Sequence, residues 1–269
     1  DIKTVQAIIF AGNHGVTDQG ITQYSSNMTA KMVQDCISGG APVNQLAVLA
    51  DADLRVYEMA LEQPTQDFTQ GPAMTEEECA RAIAYGMLAV EDNIDLLVLG
   101  EMGIGNEISA SAMCCVLLSE NIEDWFGSEK QEKNTNITNT VEVIRAGIEV
   151  NKLLIRDPLN VLRCLGGQEI AAEVGAIIAA RIAGTPVLLD GFVSTAAALV
   201  LHKINPELIL HCCISHLSPV PAHSIILNAL NKRPILELGI SMSGAVGASV
   251  AINIIRASIA CGTIVTDNN

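Results

Sequence analysis

The sequence predicts an α/β fold, Rossmann-like, with a mostly parallel sheet flanked by helices. Three observations carry this. Short apolar runs stop at Gly, Asp or Ser; Ala-, Ile- and Leu-rich stretches with helical spacing lie between them; and 269 residues suffice for one large core. Hydrophobic residues make up 49% and aromatics only 3%, so that core is aliphatic.

The elements follow in order. Residues 5–10 read as a buried strand running into Ala11-Gly12-Asn13-His14-Gly15, and 28–37 as a helix. Residues 76–91 form a second helix, with Thr75 and Glu78 spaced as a capping box. A strand at 96–99 delivers Gly100-Glu101, and a helix at 109–118 follows. The polar stretch 127–138 reads as a loop or a flap that orders over ligand, ahead of a helix at 139–154. Helix 169–183 precedes a strand at 186–189 that ends in Asp190-Gly191; helix 195–202 precedes a strand at 208–214 that ends in Ser215-His216. The Gly/Ala/Ser-rich segment 239–264 turns helical and suits close backbone approach.

Charge narrows the function. Thirty Asp and Glu against 15 Lys and Arg give a net charge of −15. Such a surface repels nucleic acid and anionic membranes at long range. It also makes an anionic small substrate a puzzle, because few cations exist to hold it. Eight cysteines include no Cys-x-x-Cys pair and read as reduced small hydrophobes of a soluble, cytoplasmic protein. His211 and His216 beside Cys212 and Cys213 have no carboxylate or second histidine at ligand spacing, so no metal is expected. No G-x-S-x-G elbow supports a serine hydrolase.

Four polar strand ends remain, and α/β proteins place their chemistry at such ends. Gly100-Glu101-Met102-Gly103-Ile104-Gly105-Asn106 is either a plain tight turn or an anion cradle built from backbone N–H groups and the helix dipole; its glycines do not follow the dinucleotide spacing. Glu101 supplies an acid at that point. His14 is either structural or part of the same crevice. Methionines at 28, 32, 102 and 242 are either core or the walls of an apolar slot for a flat ring, whereas Met113 reads as core.

These residues also carry a resemblance. Phe10-Ala-Gly-Asn-His-Gly-Val16, Met28-Thr-Ala-x-Met-Val33, Gly39-Gly-Ala-x-Val-Asn44, Gly71-Pro-Ala-Met74, the Gly100–Asn106 turn, Leu165-Gly-Gly-Gln-Glu-Ile-Ala-Ala172 and Leu189-Asp-Gly-Phe-Val-Ser-Thr-Ala-Ala-Ala198 resemble, in order and over nearly the whole chain, the nicotinate-nucleotide:dimethylbenzimidazole phosphoribosyltransferases of cobamide nucleotide-loop assembly. The resemblance implies transfer of phosphoribosyl from nicotinate mononucleotide to a benzimidazole-like base, with inversion, and without cofactor or metal. It implies Glu101 as the catalytic carboxylate. Gly103, Gly105, Asn106, Asp190, Gly191, Ser215 and His216 would meet the nucleotide; Tyr24, Met32, Met102 and Met242 would line the base slot. It further implies a homodimer, and a large α/β domain (1–20 and 45–235) with a small helical domain from both chain ends (21–44 and 236–269).

Departures from the family pattern set further expectations. In the late motif Gly244 stands where the family has its general-base Glu, and Ser241 where it has Arg. Thr140 replaces a lysine, Glu107-Ile108 replaces Thr-Thr, and the family's segment before the first strand has no counterpart here. Losing a positioned base costs about 10²–10⁴ in rate, and losing cations weakens phosphate binding. A transferase of reduced efficiency and weak nucleotide affinity is therefore expected. The alternatives are an inactive homologue serving as a partner subunit, or a transferase for another ring such as a purine or phenol.

Overall fold

A computed structural model describes residues 1–119, 121–125 and 135–266. Six strands, β1 (Val5–Ala11), β2 (Ala52–Glu58), β3 (Leu96–Met102), β4 (Val187–Leu189), β5 (Cys212–His216) and β6 (Pro234–Leu236), form one sheet in the order β2-β1-β3-β4-β5-β6. Every neighbouring pair is parallel. The α/β, Rossmann-like class read from the sequence is the observed one.

Ten helices accompany the sheet among the described residues: α1 (Asn27–Ile37), α2 (Pro42–Leu49), α3 (Glu76–Ala89), α4 (Asn106–Leu118), α5 (Thr135–Asn151), α6 (Pro158–Leu165), α7 (Gln168–Ala183), α8 (Gly191–Ile204), α9 (Pro221–Leu230) and α10 (Val246–Thr266). Strand side chains alternate between faces, and two cores result. Ile8, Phe10, Leu97, Leu99 and Leu189 pack with α3, α4 and α6–α9 on one face. Val5, Ala7, Ile9, Val98 and Leu188 pack on the other face with Val33 and Cys36 of α1, Val43 of α2 and Ala248, Ala251 and Ile252 of α10. Segments from both chain ends thus build one layer.

Several expectations shift. Residues 208–209 belong to a 3-10 turn, Pro206–Ile209, opened by the Asn205 side chain accepting the Glu207 N–H, so β5 starts only at Cys212. Helix α4 begins at Asn106 and α8 at Gly191, each earlier than its apolar periodicity implies, because the glycine turns themselves supply the first helical residues. The expected loop 127–138 ends where α5 begins at Thr135, and 126–134 lie outside the described residues. Strands β2 and β6 and helices α2, α6 and α9 have no counterpart in the sequence reading. The Thr75–Glu78 capping box is present in both directions.

In this strand order the connections from β1 run outward to β2 and back to β3, so a crevice opens at the carboxyl ends of β1 and β3.

Candidate functional site

The end of β3 sends consecutive residues to opposite faces. Glu101 continues the face of Leu97 and Leu99, and Met102 that of Leu96 and Val98. Each reaches a different cavity. Glu101 lines one of about 140 Å³ together with Asp190, Gly191, His216, Ser241 and Met242. Met102 lines one of about 210 Å³ with Met32, Cys36, Pro42, Met242 and Gly244. Met242 and Ser243 belong to both, so a single wall separates a polar compartment from an apolar one. No lysine or arginine lines either cavity among the described residues.

The polar compartment is closed by the start of α8. Gly191, Phe192 and Val193, its first turn, face the cavity, and no side chain caps them. Helix N-termini of this kind present free N–H groups and a positive dipole end. Asp190, the preceding residue, sends its carboxylate elsewhere: Oδ2 accepts the Ala245 N–H at 2.9 Å and Oδ1 the Ala248 N–H at 2.8 Å. His216 rests beside it, with Nδ1 at 3.6 Å from Asp190 Oδ1 and 2.9 Å from Ser215 Oγ. Burial lowers the His216 pKa, so it contributes no cation at neutral pH. Behind it, the Ser218 N–H donates to His223 Nδ1, which leaves Nε2 to donate to Thr195 Oγ1 at 3.1 Å. His223 is therefore a neutral strut, its pKa pushed down to about 3 chiefly by burial.

Four acids lie buried around this centre: Glu101, Glu169, Glu173 and Asp190. Glu101 accepts a hydrogen bond from the Asn106 side chain, and its pKa is held well above the ordinary range by burial, then by Glu173, Glu169, Asp190 and Glu107. Glu173 takes the Ser194 hydroxyl at 2.6 Å and is pushed up to about 8 by burial. Asp190 is raised to about 7 by burial, against the pull of its backbone N–H donors. Glu169 pairs with His14 Nε2 at 2.6 Å, and His14 Nδ1 meets Ser109 Oγ at 2.8 Å. A carboxyl with a raised pKa is a stronger base once ionised, so Glu101 suits proton abstraction near neutrality. Among the described residues no cluster of three or more His, Cys, Asp or Glu is arranged to hold a metal ion.

The sequence-derived residues divide. Glu101, Asp190, Gly191, His216, Met32, Met102 and Met242 line the two cavities. Gly103, Gly105, Asn106 and Ser215 lie behind them: Gly103 abuts the Gly12 carbonyl, Gly105 packs on Thr17 and His14, Asn106 holds Glu101, and Ser215 holds His216. The amides of this turn are partly consumed, Ile104 N–H by Thr29 Oγ1 and Glu107 N–H by Asn106 Oδ1. Tyr24 is 61% exposed and lines neither cavity. Sequence reasoning missed the uncapped start of α8 and the contribution of Pro42 and Cys36. The Asp190-Gly191-Phe192 strand-to-helix step was the available signal for the first.

Known proteins resemble this chain in sequence and fold. A family model described as Phosphoribosyltransferase (DBI_PRT) matches residues 1–267. A nicotinate-nucleotide–dimethylbenzimidazole phosphoribosyltransferase of Brucella canis is 44% identical over 253 residues, covering 94% of this chain and 75% of the relative. One from Cereibacter sphaeroides is 46% identical over 260 residues, covering 97% and 77%. A crystal structure of the Thermus thermophilus protein of that description superposes with a TM-score of 0.88 at 31% identity, over 96% of this chain and 82% of the other.

Proposed function

The chain belongs to the phosphoribosyltransferase family, and on that premise we propose that it transfers phosphoribosyl from nicotinate mononucleotide to a benzimidazole-like base, yielding an α-riboside phosphate and nicotinate for cobamide lower-ligand assembly. The observation that carries this reading is the pair of cavities on either side of the Met242–Ser243 wall, with Glu101 in one and Met102 in the other. An apolar cavity of about 150 Å³ holds a benzene ring, so the methionine-lined cavity of about 210 Å³ suits a bicyclic one.

In this reading the nucleotide occupies the polar compartment, with its phosphate against the first turn of α8 at Gly191 and its ribose toward His216 and Glu101. Gly103, Gly105 and Asn106 shape that side from behind. The base lies among Met32, Met102 and Met242, with its azole edge reaching past the Met242–Ser243 wall toward the ribose and Glu101, and with Tyr24 as the proposed rim contact. The ring nitrogen attacks the anomeric carbon, the bond to nicotinate breaks and its electron pair leaves with the pyridine nitrogen. Glu101, ionised, takes the azole proton and its charge steadies the ring cation. Glycine at 244 and serine at 241 leave the wall itself with neither a carboxylate nor a cation, which supports reduced efficiency and weak nucleotide binding. We further propose that the copies pair as homodimers and that 21–44 and 236–269 act as a small helical domain against the rest. Among the described residues no helix is long and apolar enough to cross a membrane.

The test is direct: incubate the chain with nicotinate mononucleotide and a panel of benzimidazoles, purines and phenols, and detect the riboside phosphate by mass spectrometry. Product with benzimidazoles supports the proposal. Product only with purines or phenols redirects it to another ring, and no product with any base indicates an inactive partner subunit.

A further inference from the structure

The N-terminus of α10 has no cap of its own. Ala245 precedes it with φ +63, a left-handed conformation unusual for a residue with a Cβ, and Gly244 before that has φ +76. Alanine offers no side-chain acceptor, yet the first amides of any helix need one. Asp190, 55 residues away in sequence, supplies it through Ala245 N–H and Ala248 N–H. From the other side the Gly244 N–H donates to the Glu101 carbonyl at 3.0 Å. Gly100 makes that approach possible, since a Cβ there would stand 2.5 Å from Ala245 N. The turn so anchored begins the wall: Met242, Ser243 and Gly244 line the apolar cavity, and Ile240 to Ser243 the polar one.

We propose that Asp190 is a positioning residue for the acceptor base, which it never touches, because its carboxylate clamps the Gly244–Ala248 turn and thereby sets the wall of the base slot. This rests on the transferase reading above. It differs from a nucleotide contact in what it affects. A nucleotide ligand would govern nucleotide binding alone; the clamp governs an apolar cavity on the opposite face of the sheet. The residue that lines one compartment therefore fixes the shape of the other, and the two substrates meet past the edge of a wall whose position it sets.

Asp190→Asn keeps size and one acceptor oxygen but replaces the other with an amide NH2, a donor that cannot accept an N–H. Hydrogen exchange in the ligand-free protein should accelerate at Ala245 and Ala248 by roughly tenfold or more, as expected for loss of a charge-assisted bond, while amides later in α10 keep their rates. Binding of 5,6-dimethylbenzimidazole alone, measured by calorimetry without nucleotide, should weaken by a similar factor. Gly100→Ala, which pushes the same turn without altering the carboxylate, should weaken base binding too, and adding Ala245→Gly to Asp190→Asn should restore part of it by relieving the left-handed alanine. If Asp190→Asn leaves base binding unchanged and raises only the KM for nucleotide, Asp190 is a nucleotide contact and the proposal fails. Unchanged exchange at Ala245 and Ala248 also overturns it. Should Asp190→Asn not fold, Gly100→Ala decides by the same base titration: unchanged affinity there counts against the clamp. Wild-type protein that neither binds the base nor forms product would sink the transferase reading instead, while the exchange rates still report on the clamp.

Discussion

Glu173 is a fully buried acid whose pKa burial raises strongly, and replacing it with glutamine gives a sharp test of the electrostatics. Its side chain is fully buried on α7, one oxygen takes the Ser194 hydroxyl and the other has no partner in the described structure. Burial raises its pKa from an ordinary 4.5 to about 8. Between those values the native state binds a proton that the unfolded chain has released, so stability falls as pH rises through this window and recovers on acidification. At about 1.4 kcal/mol per pH unit, Glu173 contributes a gain of roughly 3–4 kcal/mol between pH 8 and pH 5. Glu173→Gln abolishes this proton linkage while preserving shape. Urea unfolding of both proteins at half-unit pH steps should give wild-type stability that climbs toward pH 5. The variant curve should be flatter, retaining the gains of the same sign that Asp190, raised to about 7, and Glu101, raised by burial, supply on acidification. The level of either curve is irrelevant, because an amide in that pocket carries its own cost. Parallel curves would refute the reasoning, for they would mean Glu173 titrates alike in both states.

Three further outcomes are expected. Glu101→Gln removes the proton acceptor but keeps the hydrogen-bonding shape toward Asn106; kcat should fall by about 10²–10⁴ with base affinity nearly intact, and an unchanged rate in the product assay would end the catalytic assignment. The acid limb of kcat/KM in the wild type should lie above the ordinary carboxylate range, following the raised pKa of Glu101. Ser241→Arg places a cation on the wall of the polar cavity and should tighten nucleotide binding tenfold or so, about 1.4 kcal/mol, in calorimetric titrations, whereas the wild type should bind more weakly than micromolar. Gly247→Ala should destabilise by several kcal/mol in thermal melts, since its Cβ would stand 2.1 Å from His216 Nδ1 in a buried contact.

Much of this architecture was legible in the chain because β1 and β3 are buried on both faces and read as continuous apolar runs. The same logic hid β2 and β6. Both are edge strands, β2 alternating between half-buried and exposed side chains and β6 three residues long with Pro234 at its start, so neither carries a run to find. Glu101 stood out because it lies at the carboxyl end of a strand beside the switch point, where the structure has it lining the polar cavity. The Asp190 clamp was not, since its partners are backbone amides 55 and 58 residues away and no side-chain pattern marks an amide. For the same reason the glycine turn at 103–106 reads as a phosphate cradle, although the three-dimensional arrangement spends part of its amides on Thr29 and Asn106 and turns the free first turn of α8 toward the cavity.

The net charge of −15 acquires a local meaning from this arrangement. An anionic nucleotide entering a compartment lined by Glu101, Glu107 and Asp190, with Glu169 and Glu173 buried close to Glu101 and no lysine or arginine in the lining, would be repelled if all these acids were ionised, and backbone dipoles at one helix end offset only about half a charge. Burial alters the count. Glu173 near 8 is largely protonated at neutral pH, Asp190 near 7 is divided between its two forms, and Glu101 is shifted the same way. The compartment is therefore far less negative at pH 7 than its composition implies. Neutralisation by proton uptake does for this site part of what a cation would do, but it acts on the proposed catalytic carboxyl, Glu101, as well. Under the proposed mechanism, lowering the pH favours the nucleotide and disarms Glu101 as a base, whereas raising it arms Glu101 and repels the nucleotide. A site built this way works best in a narrow interval between the two, and an arginine in the wall at 241 would widen that interval by holding the phosphate independently of the acids.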